Sequence, residues 1–241
     1  MKKLKIEEIK IYETFENKLA ECPFCVMEKN YEEQLMHSIL GERIMDIDFY
    51  PKIGNEHKFC EIHIEKLNRG SDKLGFAIML DKIINEEKKK LHKNKTLQKN
   101  DDSVVKKLLS LSKKTSKPLN GKADYECFIC SKLDENNKDN IMVTIELWKK
   151  DTDFRVLYKD SRGFCNNHYI NLINELEKSS DKKNIVDMHE VTNEIHLKNL
   201  ERLQEELQWF IKKFDYLNAD KPWGTSKDSV QRALQKLLGN H

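Results

Sequence analysis

Six cysteines and two histidines stand in two sets with one internal spacing: Cys22, Cys25, Cys60 and His63, then Cys127, Cys130, Cys165 and His168. In each set 34 residues separate a CxxC pair from a CxxH pair, and an offset of 105 carries every member of the first set onto the second. No cysteine is left over. Surface loops accept insertions at little thermodynamic cost, so unrelated clusters have no reason to keep one interval. The spacing therefore reads as an internal repeat. The same offset aligns Glu21 with Glu126, Met36 with Ile141, Leu40 with Ile145, Asp48 with Asp153, Phe49 with Phe154, Phe59 with Phe164, and Leu67 with Leu172.

Two thiolates three residues apart can turn toward one ion, and a CxxH pair adds a third thiolate and an imidazole to complete a tetrahedron. Cys3His suits Zn2+, and four protein donors leave no position for a reactive water, the mark of a structural zinc. The expectation is two Zn2+ per chain, one within each repeat: Cys22, Cys25, Cys60 and His63 around the first ion, Cys127, Cys130, Cys165 and His168 around the second. An iron–sulfur cluster and thiol redox chemistry are the competing uses of these cysteines. Cys22-Pro-Phe-Cys25 has the outline of a glutaredoxin-type site, but that motif follows a buried strand, Glu16 to Glu21 is polar and strand-poor, and the second copy lacks the proline. Phe59 and Phe164 precede the CxxH pairs and are placed either to shield sulfur or simply to fill the core.

With 8 Gly and 4 Pro in 241 residues, the Lys-, Glu- and Leu-rich chain points to an all-α fold. The spacing predicts a helix from near Cys22 to Leu40, opened by Pro23 and stopped by Gly41, and an equivalent from Cys127 toward Trp148. Each CxxC then caps one helix and each CxxH opens another, so that an ion staples two helix beginnings, where the dipole favours thiolates. A further helix is expected over Leu74–Leu91. Beyond the second set, Leu200, Leu203, Leu207, Phe210, Phe214 and Leu217 step by three and four as one amphipathic helix. After Pro222-Trp223-Gly224, a last helix is capped by Ser226, with Val230, Ala233, Leu234, Leu237 and Leu238 on its inner face. The domains that follow are 1–87, a first zinc-binding helical unit; 88–122, a basic linker; 123–184, a second unit; and 185–241, C-terminal helices packing on both.

A net charge of +2 hides an asymmetry, because Lys88 to Lys122 carries +10 and the rest of the chain −8. This connector, with a short amphipathic helix at Val104, Val105, Leu108 and Leu109, can neutralise phosphates, so nucleic acid is one candidate partner. It contains no arginine and no aromatic residue for bidentate recognition or stacking, so a plain solvated linker is the competing reading of this segment, and an unknown protein partner stands ahead of nucleic acid. No P-loop, HExxH, GxSxG or GxGxxG occurs, and no enzyme class is indicated. His189, Glu190, Glu194 and His196 read as a solvated helical face, and His37 and His57 have no histidine at the offset positions. No apolar run reaches the roughly 20 residues needed to span a bilayer. Met1 to Lys10 alternates charge without an apolar core, so a cytoplasmic location is expected.

Across its whole length the chain resembles a bacterial family designated domain of unknown function 6062. The resemblance rests on Glu21-Cys-Pro-Phe-Cys25, Phe59-Cys-Glu-Ile-His63, Cys127-Phe-Ile-Cys130, Leu147-Trp-Lys-Lys150, Gly163-Phe-Cys-Asn-Asn-His168 and Phe214-Asp-Tyr-Leu-Asn-Ala-Asp-Lys-Pro-Trp-Gly224. It implies no established activity. Residues and resemblance together suggest a non-enzymatic scaffold for another macromolecule, with a metal or redox sensor as the second class and an enzyme with an unrecognised cleft as the third.

Overall fold

Proline at the first helical position lacks only an amide that would be unpaired there, and α2 (Pro23–Leu40) begins on Pro23 and gives way to a turn at Gly41. It follows α1 (Ile6–Glu16), whose first turn is closed by the Glu8 carboxylate accepting the Lys5 amide at 3.0 Å. The computed structural model describes residues 4–46, 48–50, 53, 57–98, 126–178 and 182–239. In chain order there follow α3 (Glu61–Arg69), α4 (Lys73–Gln98), α5 (Phe128–Lys150), α6 (Thr152–Lys159), α7 (Asn166–Lys178), α8 (Lys182–Lys212) and α9 (Ser229–Leu238) among the described residues. Two-residue strands β1 (His57–Lys58) and β2 (Glu126–Cys127) form a short parallel bridge, so the fold is all-α.

The chain divides into two units of packing, one of Met1–Tyr31 with Leu133–His241 and one of Glu32–Lys132. The boundaries fall inside α2 and α5, so each of these helices begins in one unit and ends in the other. Each unit therefore takes one part from each sequence repeat.

The first unit is built on aromatic contacts. Phe15 lies edge-on to Phe24, Phe154 and Phe164 and stacks on Tyr158 at 5.6 Å, and all five rings are buried. Asp151 caps α6 by accepting the Asp153 and Phe154 amides, and it also takes the Tyr12 hydroxyl from α1. Gly163 adopts φ +72°, a left-handed turn just before Phe164 and Cys165, where a Cβ would meet Ile195 Cγ2 at 3.0 Å. In the second unit α3 packs on α4, and α4 on the Arg43–Met45 turn. Leu40, Phe49, Tyr50, Leu67 and Met79 are buried there. The aligned pairs Phe49/Phe154 and Leu67/Leu172 are buried in both repeats.

Three helix expectations need correction. The Leu74 helix extends to Gln98. The Leu200 stripe ends early, because α8 stops at Lys212, and Phe214 and Leu217, 74% and 66% exposed, lie beyond it. In α9 the cap is Asp228, not Ser226; Val230, Leu234, Leu237 and Leu238 are exposed, while Ser229 and Lys236 are fully buried. Charge decides that orientation, as shown below. The expected helix at Val104 to Leu109 lies outside the described residues.

Candidate metal centres

All four ligand pairs sit at helix beginnings. Cys22 and Cys25 flank the start of α2, Cys127 and Cys130 that of α5, Cys60 is the cap of α3 with His63 in its first turn, and Cys165 immediately precedes α7, which carries His168. Amide groups and dipole at a helix N-terminus stabilise thiolate. A left-handed turn at Gly163 and the buried Phe164 set Cys165 inward; Phe164 stacks on Phe24 at 5.1 Å, and Phe24 lies 5.6 Å from the His168 ring. Phe164 is a buried core aromatic of the first unit, and Phe59 is only partly buried.

The ligands come together, but across the repeats. Cys22 and Cys25 meet Cys165 and His168, and Cys127 and Cys130 meet Cys60 and His63, the donor atoms of each group all within 4.8 Å of one another. The within-repeat pairing of Cys22 and Cys25 with Cys60 and His63, and of Cys127 and Cys130 with Cys165 and His168, is therefore wrong. Helix direction supplies the reason. From Cys130, α5 runs on to Lys150, about 30 Å at 1.5 Å per residue. The eight residues of α6 return at most about 12 Å, and 160–164 about 17 Å if fully extended. Cys165 would need every remaining residue stretched straight back along α5 to reach Cys130. In the first repeat, α2 likewise carries the chain from the unit of Cys22 into the unit of Cys60. The conserved interval measures a crossing helix, not a closed loop.

The donor geometry fits a tetrahedral ion. With metal–sulfur bonds of about 2.3 Å and a metal–nitrogen bond of about 2.0 Å, the edges are about 3.8 Å between sulfurs and about 3.5 Å from sulfur to nitrogen. Around His168 Nδ1 the sulfurs of Cys165, Cys25 and Cys22 lie at 3.1, 3.4 and 3.6 Å, and Cys25 and Cys165 are 3.5 Å apart. Around His63 Nδ1, Cys60, Cys127 and Cys130 lie at 3.1, 3.4 and 3.4 Å, with Cys60 and Cys130 3.9 Å apart.

Both imidazoles present Nδ1 to sulfur, which leaves Nε2 as the outward donor. His63 Nε2 meets Glu32 Oε1 at 2.9 Å, and Lys66 Nζ holds both oxygens of Glu32 at 2.8 and 3.0 Å. His168 Nε2 has Glu28 Oε2 at 3.8 Å, too far for a hydrogen bond. The offset explains the difference: Glu32 corresponds to Asn137, which cannot supply a carboxylate and instead donates to Glu28 at 2.8 Å. Burial alone lowers the basicity of His63, but the Cys127 thiolate and Glu32 overcome it and raise its pKa to about 10. Burial raises the Cys127 thiol and the His63 contact more than offsets it, bringing the pKa down to about 6. Thiolate is thus the favoured form of Cys127 before any ion enters, whereas burial and the neighbouring Cys127 charge push the Cys130 thiol up.

Sequence reasoning missed the charged group beside the first-unit centre. Glu21, 1% exposed, receives Arg162 at 2.9 Å, Arg202 at 2.6 Å and Arg232 at 3.4 Å. Lys236, wholly buried on α9, donates to the Glu21 and Arg162 carbonyls at 2.6 Å each. Burial raises the Glu21 carboxyl, yet Lys236, Arg202 and Arg162 together hold it below its ordinary value. One signal was available: Ser229, Arg232 and Lys236 form a polar stripe at helical spacing.

Among the described residues, His37, His189 and His196 join neither group, and two groups are found. No helix of the described residues is long and apolar enough to cross a membrane. Residues 1–241 match the model of a family of unknown function, DUF6062, and the chain belongs to that family. No curated protein and no solved structure matches it.

Proposed function

Membership of a family without an assigned activity leaves the centres themselves as the evidence for a role, and we propose that the chain is a cytoplasmic zinc protein whose two Zn2+ are structural, serving as a non-enzymatic scaffold for another macromolecule. The observation that carries this reading is closure. In each group, four protein donors converge from the starts of two helices at the edge lengths of a zinc tetrahedron, and no coordination position remains for a substrate. Three thiolates and one imidazole suit zinc better than a hard oxygen-seeking ion.

The tail supports an interaction role. In the last turn of α8 and just past it, Ile211, Phe214, Tyr216 and Leu217 are 66–84% exposed, a concentration of apolar surface beyond scattered single residues. The turn presenting them is held by Lys213, whose ammonium donates to the carbonyls of Asn218, Ala219 and Lys221 and faces the Trp223 ring at 5.2 Å. A protein partner fits this surface; nucleic acid remains the use of Lys88–Lys122.

Metal analysis of protein purified without oxygen tests the reading: about two zinc ions per chain by ligand count, with loss of helix on chelation, are expected. Iron with visible absorbance would overturn it. A second reading, a redox or metal sensor, draws on the partial exposure of Cys60 and Cys130 in the second-unit centre. Reversible zinc release under mild oxidant, with a matching change in helicity, would favour it.

A further inference from the structure

A cavity of about 320 Å3 lies against the first-unit centre, lined by Glu28, Asp134, Asn137, His168, Ile170 and Leu238 among others. Asn137 is 6% exposed, and its Oδ1 has no partner although its Nδ2 donates to Glu28 at 2.8 Å. Turning the amide over would set oxygen against carboxylate, so the orphan atom is the acceptor. A buried acceptor without a donor costs free energy that a bound donor recovers. Glu28 Oε2, 3.8 Å from His168 Nε2, is a second acceptor at the same wall.

Charge narrows the occupant. Glu28 and Asp134 are carboxylates, the lining contains no lysine or arginine, and three thiolates around a divalent ion add a net negative charge next door. Anions are disfavoured, and a neutral alcohol satisfies the acceptors without the charge. The volume is at the small end for ligand sites, and Ile170 and Leu238 supply apolar wall for a few carbons. We propose that this cavity binds a small primary ammonium ion, with its nitrogen at Glu28 and Asn137 and its short alkyl body against Ile170 and Leu238.

The test is a titration of the metal-loaded full chain with propylammonium chloride, followed by the side-chain amide NMR signals of Asn137 and Asn171, with propanol and propionate as size-matched comparators at constant ionic strength. Saturable propylammonium binding, tighter than either comparator by at least about 10-fold, is expected from a charge-assisted contact. Glu28→Gln and Asp134→Asn should each weaken it several-fold; Asp134→Asn alone decides the matter if Glu28→Gln loses metal. No saturable response, an equal response to propanol, or undiminished affinity in both variants would overturn the proposal and leave water as the occupant. The inference uses the centre described above but is separable from its metal identity. Two zinc ions per chain without an ammonium response refute the cavity and leave the scaffold, whereas ammonium binding in a chain holding another metal does the reverse.

Discussion

The two centres share a ligand set and differ in nearly everything around it. In the first unit all four ligands are buried, aromatic rings enclose them, and a five-member charge cluster at Glu21 fastens α9 to the turn that precedes Cys22. In the second, Cys60 and Cys130 are partly exposed, and the compensating feature is one tight relay from Lys66 through Glu32 to His63. One centre is protected by packing and the other by hydrogen bonding. Coordination chemistry alone would make them equal; their surroundings should make the second-unit ion the more labile.

Metal removal is the strongest way to break the comparison. A structural zinc contributes roughly 10–16 kcal/mol of apparent binding free energy against a net domain stability of about 5–15 kcal/mol. Chelation should abolish cooperative unfolding as followed by circular dichroism. Release should be biphasic, with the His63 ligand set losing its ion first, which assignment of the two histidine ring signals during a chelator titration can show. Simultaneous release would remove the asymmetry.

Next in size is the Glu21 cluster. Glu21→Ala strips three arginines of their shared acceptor and removes the carboxylate 3.6 Å from Lys236, and breaking a buried ionic group of this kind costs about 3–5 kcal/mol. Thermal unfolding should show that loss while the Cys60/His63/Cys127/Cys130 ion stays bound. The pH dependence has a definite sign. The folded Glu21 carboxyl lies below its ordinary 4.5, so its stabilisation is present above that value and disappears as pH falls through the lowered folded pKa. The stability gap between wild type and Glu21→Gln should therefore be constant near neutrality and close in acid, as read by denaturant unfolding across a pH series.

Smaller effects separate the two carboxylates. Outer partners of a ligating histidine typically change metal affinity by about 10–100-fold. Glu32→Gln should lower zinc affinity of its centre within that range in chelator competition, whereas Glu28→Gln, starting from a 3.8 Å separation, should change its own by only a few-fold. Equal losses would show that the relay at His63 is not special. The smallest contrast is kinetic: under substoichiometric thiol-modifying reagent, mass mapping should find Cys60 and Cys130 labelled before Cys22, Cys25 and Cys165.

The sequence disclosed the ligands because their spacing is local: CxxC and CxxH place two donors on one turn wherever the chain goes next. It also disclosed that all four pairs open helices, through Pro23 and the apolar periodicity that follows. Pairing was not legible in the same way. It depends on where α2 and α5 deliver the chain, and an equal interval of 34 residues is compatible with a loop that returns and with a helix that does not. The α9 orientation failed for a related reason. Both its leucine stripe and its Ser229–Arg232–Lys236 stripe are helical faces, and the choice between them was made by Glu21, 215 residues away from Lys236. Phe214 and Leu217 continue the heptad-like rhythm of α8 on paper, but the helix ends at Lys212 and Lys213 turns to cap the carbonyls beyond.

Exchange of ligands between the repeats is the claim on which the account stands, and cadmium-113 substitution tests it with least intermediary. In proton–cadmium correlation spectra, one cadmium resonance should couple to the Cβ protons of Cys22, Cys25 and Cys165, and the other to those of Cys60, Cys127 and Cys130. A resonance coupled to Cys22, Cys25 and Cys60 together would contradict it.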